Sequence, residues 1–121
     1  MKIPKKSREV FEYLKDCAKE MRTVNYKEIA DAVGLAAVGL GNQLGYIRDR
    51  ICRKRGLPWL NAIAVNKGSR RPGDSFLPTS VSVDQADEER LWRGMVLQVF
   101  AYDWDSVVFK KKKKKAKKDS I

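Results

Sequence analysis

The chain has 121 residues, 43% of them hydrophobic, with 26 Lys and Arg against 15 Asp and Glu and a net charge of +11. That is room for one domain with a modest core, and no apolar run approaches the length of a membrane span. Two distant cysteines, Cys17 and Cys52, with no histidine exclude a Cys/His zinc site, argue against a disulfide framework and favour a reducing setting. The basic start, Met1 to Lys6, is followed by no apolar signal core, so no secretion is expected.

The elements follow in chain order. Ser7 predicts a cap for a helix over about 7–22, with Val10, Phe11, Leu14, Cys17, Ala18 and Met21 on its inner face. Next, "NYKEIADAVG" predicts a short helix over about 25–33. Asn25 and Glu28 are spaced as a capping box, and Gly34 is suited to a left-handed stop. A longer helix over about 37–55 carries an apolar stripe at Leu40, Leu44, Ile47 and Ile51. Gly39, Gly41 and Gly45 oppose that helix by about 1 kcal/mol each. Either the backbone approaches another surface there, or it packs tightly on the preceding helix.

"LNAIAVNK" alternates like a strand, "GSRRPGDS" has turn chemistry, and "FLPTSVSV" reads as a returning edge strand. Together they predict a hairpin over about 59–82. Asp84 begins a last helix over about 84–104, with Leu91, Trp92, Met95, Val96, Val99, Phe100 and Trp104 facing inward. Residues 110–121 read as a disordered, lysine-rich tail after a domain spanning 1–109.

Charge is distributed unevenly along this order. The tail holds eight Lys against Asp119, and residues 46–73 hold eight Arg and Lys against Asp49. Residues 84–105 reverse the sign, with six acids against Arg90 and Arg93. Such polarity predicts an oriented polyanion partner. No helix with a basic polar face and a bulky aromatic apolar face suggests a membrane surface instead.

Helix, short helix, glycine turn, longer helix and hairpin is the order of a winged helix-turn-helix. The fold class expected is therefore α+β, mostly helical, with an added C-terminal helix. The expected partner is double-stranded DNA. Val38, Asn42, Gln43, Tyr46, Asp49, Arg50 and Arg53 are expected to point largely outward on the longer helix. Asn and Gln suit adenine edges and Arg suits guanine, so Asn42, Gln43 and Arg50 are candidate base readers. Arg48, Arg53, Lys54 and Arg55 suit phosphates, as do Lys67, Arg70 and Arg71 at the hairpin tip. Lys110, Lys111 and Lys112 begin a run that adds sequence-independent affinity through counterion release.

"VNYKEIADAVG" resembles the winged-helix DNA-binding domain of the O6-alkylguanine alkyltransferase and alkyltransferase-like family, as does "VGLGNQL" through Gly41, Asn42 and Leu44. The resemblance covers residues 20–78 or so. It implies that Tyr26 touches the DNA backbone and that Val38 stands where the family has an intercalating arginine. After Pro58-Trp59 the chain reads Leu60-Asn61-Ala62, without the family's reactive cysteine, histidine and arginine. No thiol has a base to activate it.

A non-catalytic DNA-binding protein with no cofactor is the expectation. A lesion sensor, or an adaptor or homodimer joined through the last helix, are the alternatives. Asp103 and Asp105 flank Trp104 without further ligands, so no metal site is expected. A nucleoid or cytoplasmic location follows for a bacterial or phage protein, and a nuclear one for a eukaryotic protein.

Overall fold

A computed structural model describes residues 3–73, 76–77 and 83–107. It is a mostly helical α+β fold with one two-stranded sheet. Helix α1 spans Lys5–Lys19, strand β1 Val24–Asn25 and helix α2 Tyr26–Val33. A 3-10 turn at Ala37–Gly39 leads into α3, Leu40–Tyr46. A π-helical turn at Ile47–Cys52 and the short α4, Arg53–Arg55, continue the same rod. A 3-10 turn at Leu60–Ile63, strand β2 at Ala64–Val65, α5 at Gln85–Ala101 and a 3-10 turn at Trp104–Ser106 complete the order.

Helix α2 forms as its local chemistry dictates. The Asn25 side chain accepts from the Glu28 N–H, and the Glu28 carboxylate accepts from the Asn25 N–H. Two of the helix's orphan donors are thereby satisfied. Gly34 then stops it with φ 73°. The stripe expected in the next helix is buried throughout, with Leu40, Leu44, Ile47 and Ile51 all at most 1% exposed. Residues 40–55 run as one rod because the turn at 47–52 keeps helical dihedrals while its bonds lengthen to i→i+5, as in Arg53 N–H to Arg48 C=O.

Several expectations need correction. Ser7 caps nothing: α1 starts at Lys5 behind Pro4, and Ser7 is a buried residue of its inner face. The helix also stops at Lys19, because Met21 turns left-handed at φ 55° and is 67% exposed rather than inward. The segment predicted as an alternating strand is a 3-10 turn followed by only two strand residues. Positions 60–65 are all buried, so there is no solvent face for alternation to serve.

Strand β2 pairs with β1, in parallel, with Val24 opposite Ala64 and Asn25 opposite Val65. The returning limb is not a strand at residues 76–77, and the rest of it, 78–82, lies outside the described residues. Pro72 has no N–H to give a ladder, and the Gly73 N–H is spent on Tyr26 instead.

The core gathers α1, α2, the 40–55 rod, the 60–65 segment and the chain's 104–107 turn. Trp104 sits within it, its indole N–H donating to the Val99 carbonyl at 2.7 Å and its ring edge-on to Phe11. Helix α5 lies more loosely on this body. Val99 is its one buried residue, while Trp92, Met95, Val96 and Phe100 are half-buried and Leu91 is 49% exposed, against its expected inward position.

Candidate nucleic-acid interface

The outer side of the 40–55 rod is where a partner can approach. Val38, at its start, is 94% exposed. A Cβ placed on Gly39 or Gly41 meets nothing within 4 Å, and neither glycine has a positive φ. Packing against α2 therefore does not explain them. On Gly45 the nearest atom to an added Cβ is the flexible Arg48 guanidinium at 3.8 Å. The glycine-rich start of this rod is open to solvent although it costs helix stability.

Asn42 is exposed, but Gln43 is not a base reader in waiting. Its side-chain oxygen accepts from the Ser7 hydroxyl at 2.5 Å and ties α3 to α1. Tyr46 is half-buried against the core. Arg48 is turned inward and is 8% exposed. It grips Asp49 with two bonds, 2.9 and 2.8 Å, and donates to the Leu77 carbonyl at 3.2 Å. Those bonds remove it from the set of phosphate contacts and make it a brace between the rod and Leu77. They also hold the Asp49 carboxyl below its usual range, the Arg48 hydrogen bond being the largest cause.

Arg53 pairs with Asp49 at 3.2 Å and lies 6.0 Å from the centre of the Trp59 ring. Arg50 and Lys54 are exposed and make no ion pair among the described residues.

The basic loop after β2 is closed by Asn66. Its N–H and side-chain amide both donate to the Arg71 carbonyl, at 2.7 and 3.2 Å, and its carbonyl accepts from Arg70. Arg70 takes φ 60°, a left-handed conformation that few side chains adopt. Lys67 and Arg70 project from the turn, exposed and without an ion pair among the described residues. Arg71 differs, because its guanidinium bonds Glu89 of α5 at 2.6 Å.

Tyr26 holds this loop from below. Its hydroxyl accepts the Gly73 N–H at 2.5 Å, and its ring fills the space a Gly73 side chain would need. The tyrosine thus has a structural task that sequence reasoning did not foresee. Lys110, Lys111 and Lys112 lie outside the described residues.

Cys52 points into the core although basic residues flank it in the chain. Burial pushes its pKa up to about 12, and burial raises that of Cys17 as well. Among the described residues no group of three His, Cys, Asp or Glu side chains could hold a metal, and no helix is long and apolar enough to cross a membrane.

Glu89 and Ser7 were the residues that sequence reasoning missed. Glu89 was legible only as a helix-dipole acid, and Ser7 only as a cap. Comparison with protein-family models, with curated proteins and with solved structures finds no match for the chain. The site stands on its own geometry.

Proposed function

We propose that this is a non-catalytic double-stranded DNA-binding protein of winged-helix type. The 40–55 rod is its recognition helix, the 66–71 loop its wing and the lysine tail a sequence-independent anchor. One observation carries the reading. The cations left without an ion pair on the rod and loop, Arg50, Lys54, Lys67 and Arg70, are all exposed. Arg48 ties the rod to Leu77, six residues past the loop, and Gly73, just past the loop, is bonded to the start of α2 through Tyr26. Exposed cations without an ion pair suit a row of phosphates. Asn42 is the remaining candidate reader of a base edge on the rod's exposed side.

The alkyltransferase-like alternative asks for a pocket beside Trp59. That ring is edge-on to Phe76 and flanked by Arg53, so the alternative gains no support. The adaptor reading keeps one observation in its favour, because Leu91 and Leu97 of α5 are 49% and 69% exposed.

Binding of duplex DNA by the chain truncated after Phe109, at low ionic strength, tests the main proposal. Arg50→Ala/Lys54→Ala and Lys67→Ala/Arg70→Ala should each weaken binding to all sequences alike. A truncated chain that folds and ignores DNA, or pairs of variants that bind as tightly as the parent, would refute it.

A further inference from the structure

We infer that Glu89 is a resident phosphate surrogate: it withholds Arg71 from the basic loop in the free protein, and a duplex phosphate displaces it on binding. The inference rests on the DNA-binding reading above. Arg71 belongs to the loop that also presents Lys67 and Arg70, yet only its guanidinium is bonded to a carboxylate from another element. One Glu89 oxygen accepts from Arg71 Nη1 at 2.6 Å, while the other accepts from Arg93 at 3.0 and 2.7 Å. A carboxylate with two short charge-assisted bonds to guanidinium groups presents the chemistry of a phosphate oxygen pair.

The surroundings suit an exchange of partners confined to one side chain. The loop backbone is fixed on both sides of the guanidinium's stem, by Asn66 to the Arg71 carbonyl and by Tyr26 to Gly73. Arg71 can therefore change partner without moving the loop. A cavity of about 160 Å³ lies beside it, lined by Arg71, Pro72, Gln85, Glu88, Glu89 and Trp92, and leaves the side chain room to swing. Arg93 stays with Glu89 after the exchange, so the released carboxylate is not left alone. The Arg71 side chain is 48% exposed and Glu89 27%, which makes the contact reachable from solvent and weak enough to break.

The test measures duplex affinity of the full chain by fluorescence anisotropy, across a salt series, for Glu89→Gln, Glu88→Gln, Arg71→Ala and the double variant Arg71→Ala/Glu89→Gln. Glu88 lines the same cavity and carries the same charge, but forms no ion pair among the described residues. Glu89→Gln should tighten binding about two- to fivefold, the scale of an exposed ion pair. Its log-log salt slope should match the parent's, because Arg71 meets the same phosphate in both, whereas Arg71→Ala should flatten the slope by about 0.9, one lost contact. Glu88→Gln should do less, and the gain should vanish where Arg71 is already Ala.

Equal gains from both glutamines would reduce the effect to net charge and overturn the inference. So would a gain that survives Arg71→Ala. Weaker binding by Glu89→Gln would mean that Glu89 aims Arg71 at DNA, which also overturns it. If the parent chain binds no duplex, the DNA reading falls and takes this inference with it. If the parent binds and Glu89→Gln changes nothing, only the surrogate role falls.

Discussion

Neighbouring residues on the rod carry opposite assignments, and stability measurements can separate them. Gln43 satisfies Ser7, which is 2% exposed, whereas Asn42 is exposed with no such duty. Gln43→Ala leaves a buried hydroxyl without its acceptor and should cost about 1–3 kcal/mol in urea unfolding. Asn42→Ala should stay within about 0.5 kcal/mol, as surface changes do. Equal losses would mean that the Ser7 bond contributes nothing. Gly41 makes a sharper case, because a methyl there meets empty space. Gly41→Ala should raise stability by up to about 1 kcal/mol through helix propensity. If the rod's backbone lies close to DNA, the same variant should bind a duplex more weakly. Higher stability with unchanged affinity would remove the glycines from the interface.

The turn at 47–52 ties the rod to the returning chain at Leu77. Arg48 makes the link, and Asp49 balances its charge where the guanidinium turns inward. The Asp49 pKa is depressed in the folded state, so its contribution is present above the ordinary carboxylate range. It is lost as pH falls through that range and then through the lowered folded value. Asp49→Asn should therefore flatten the acid limb of a melting-temperature series between about pH 5 and 3. An unchanged acid limb would deny Asp49 that role.

Elements also show what was legible in the chain. Helix α2 was readable to within a residue because its signals are local: a capping box three residues apart and a glycine at the end. The rod's stripe was readable because 3.6-residue periodicity survives one π turn. The partner and extent of β2 were not, because it pairs with β1, far away in sequence, and burial on every side erases alternation. The candidate site was legible as a list of cations, but which of them are free was not. Arg48, Arg71 and Gln43 are committed by partners at Leu77, Glu89 and Ser7, and no local pattern announces a contact across so many residues.

At the scale of the whole molecule, the charges are arranged so that a body and a tail can act as two ligands on one polyanion. Lys15 donates to the Val107 carbonyl at 2.8 Å and Lys19 pairs with Asp105 at 2.7 Å, which anchors to α1 the last described residues before the lysine run. The run begins three residues after Val107. A polycation tethered that close to a DNA-bound body works at high effective concentration, so it multiplies affinity without adding sequence preference. The rod and loop offer four cations without an ion pair among the described residues, Arg50, Lys54, Lys67 and Arg70, and with Arg71 released from Glu89 the body's log-log salt slope should be roughly −4 to −5 at about 0.9 per phosphate. The full chain adds eight lysines and should steepen that slope toward roughly −10, with an unchanged order of preference among duplexes. An interface built on Leu91 and Leu97 would respond in the opposite way, since burial of apolar surface has no counterions to release. A slope near zero for the body would thus move function from the rod and loop to α5, whatever the tail does on its own.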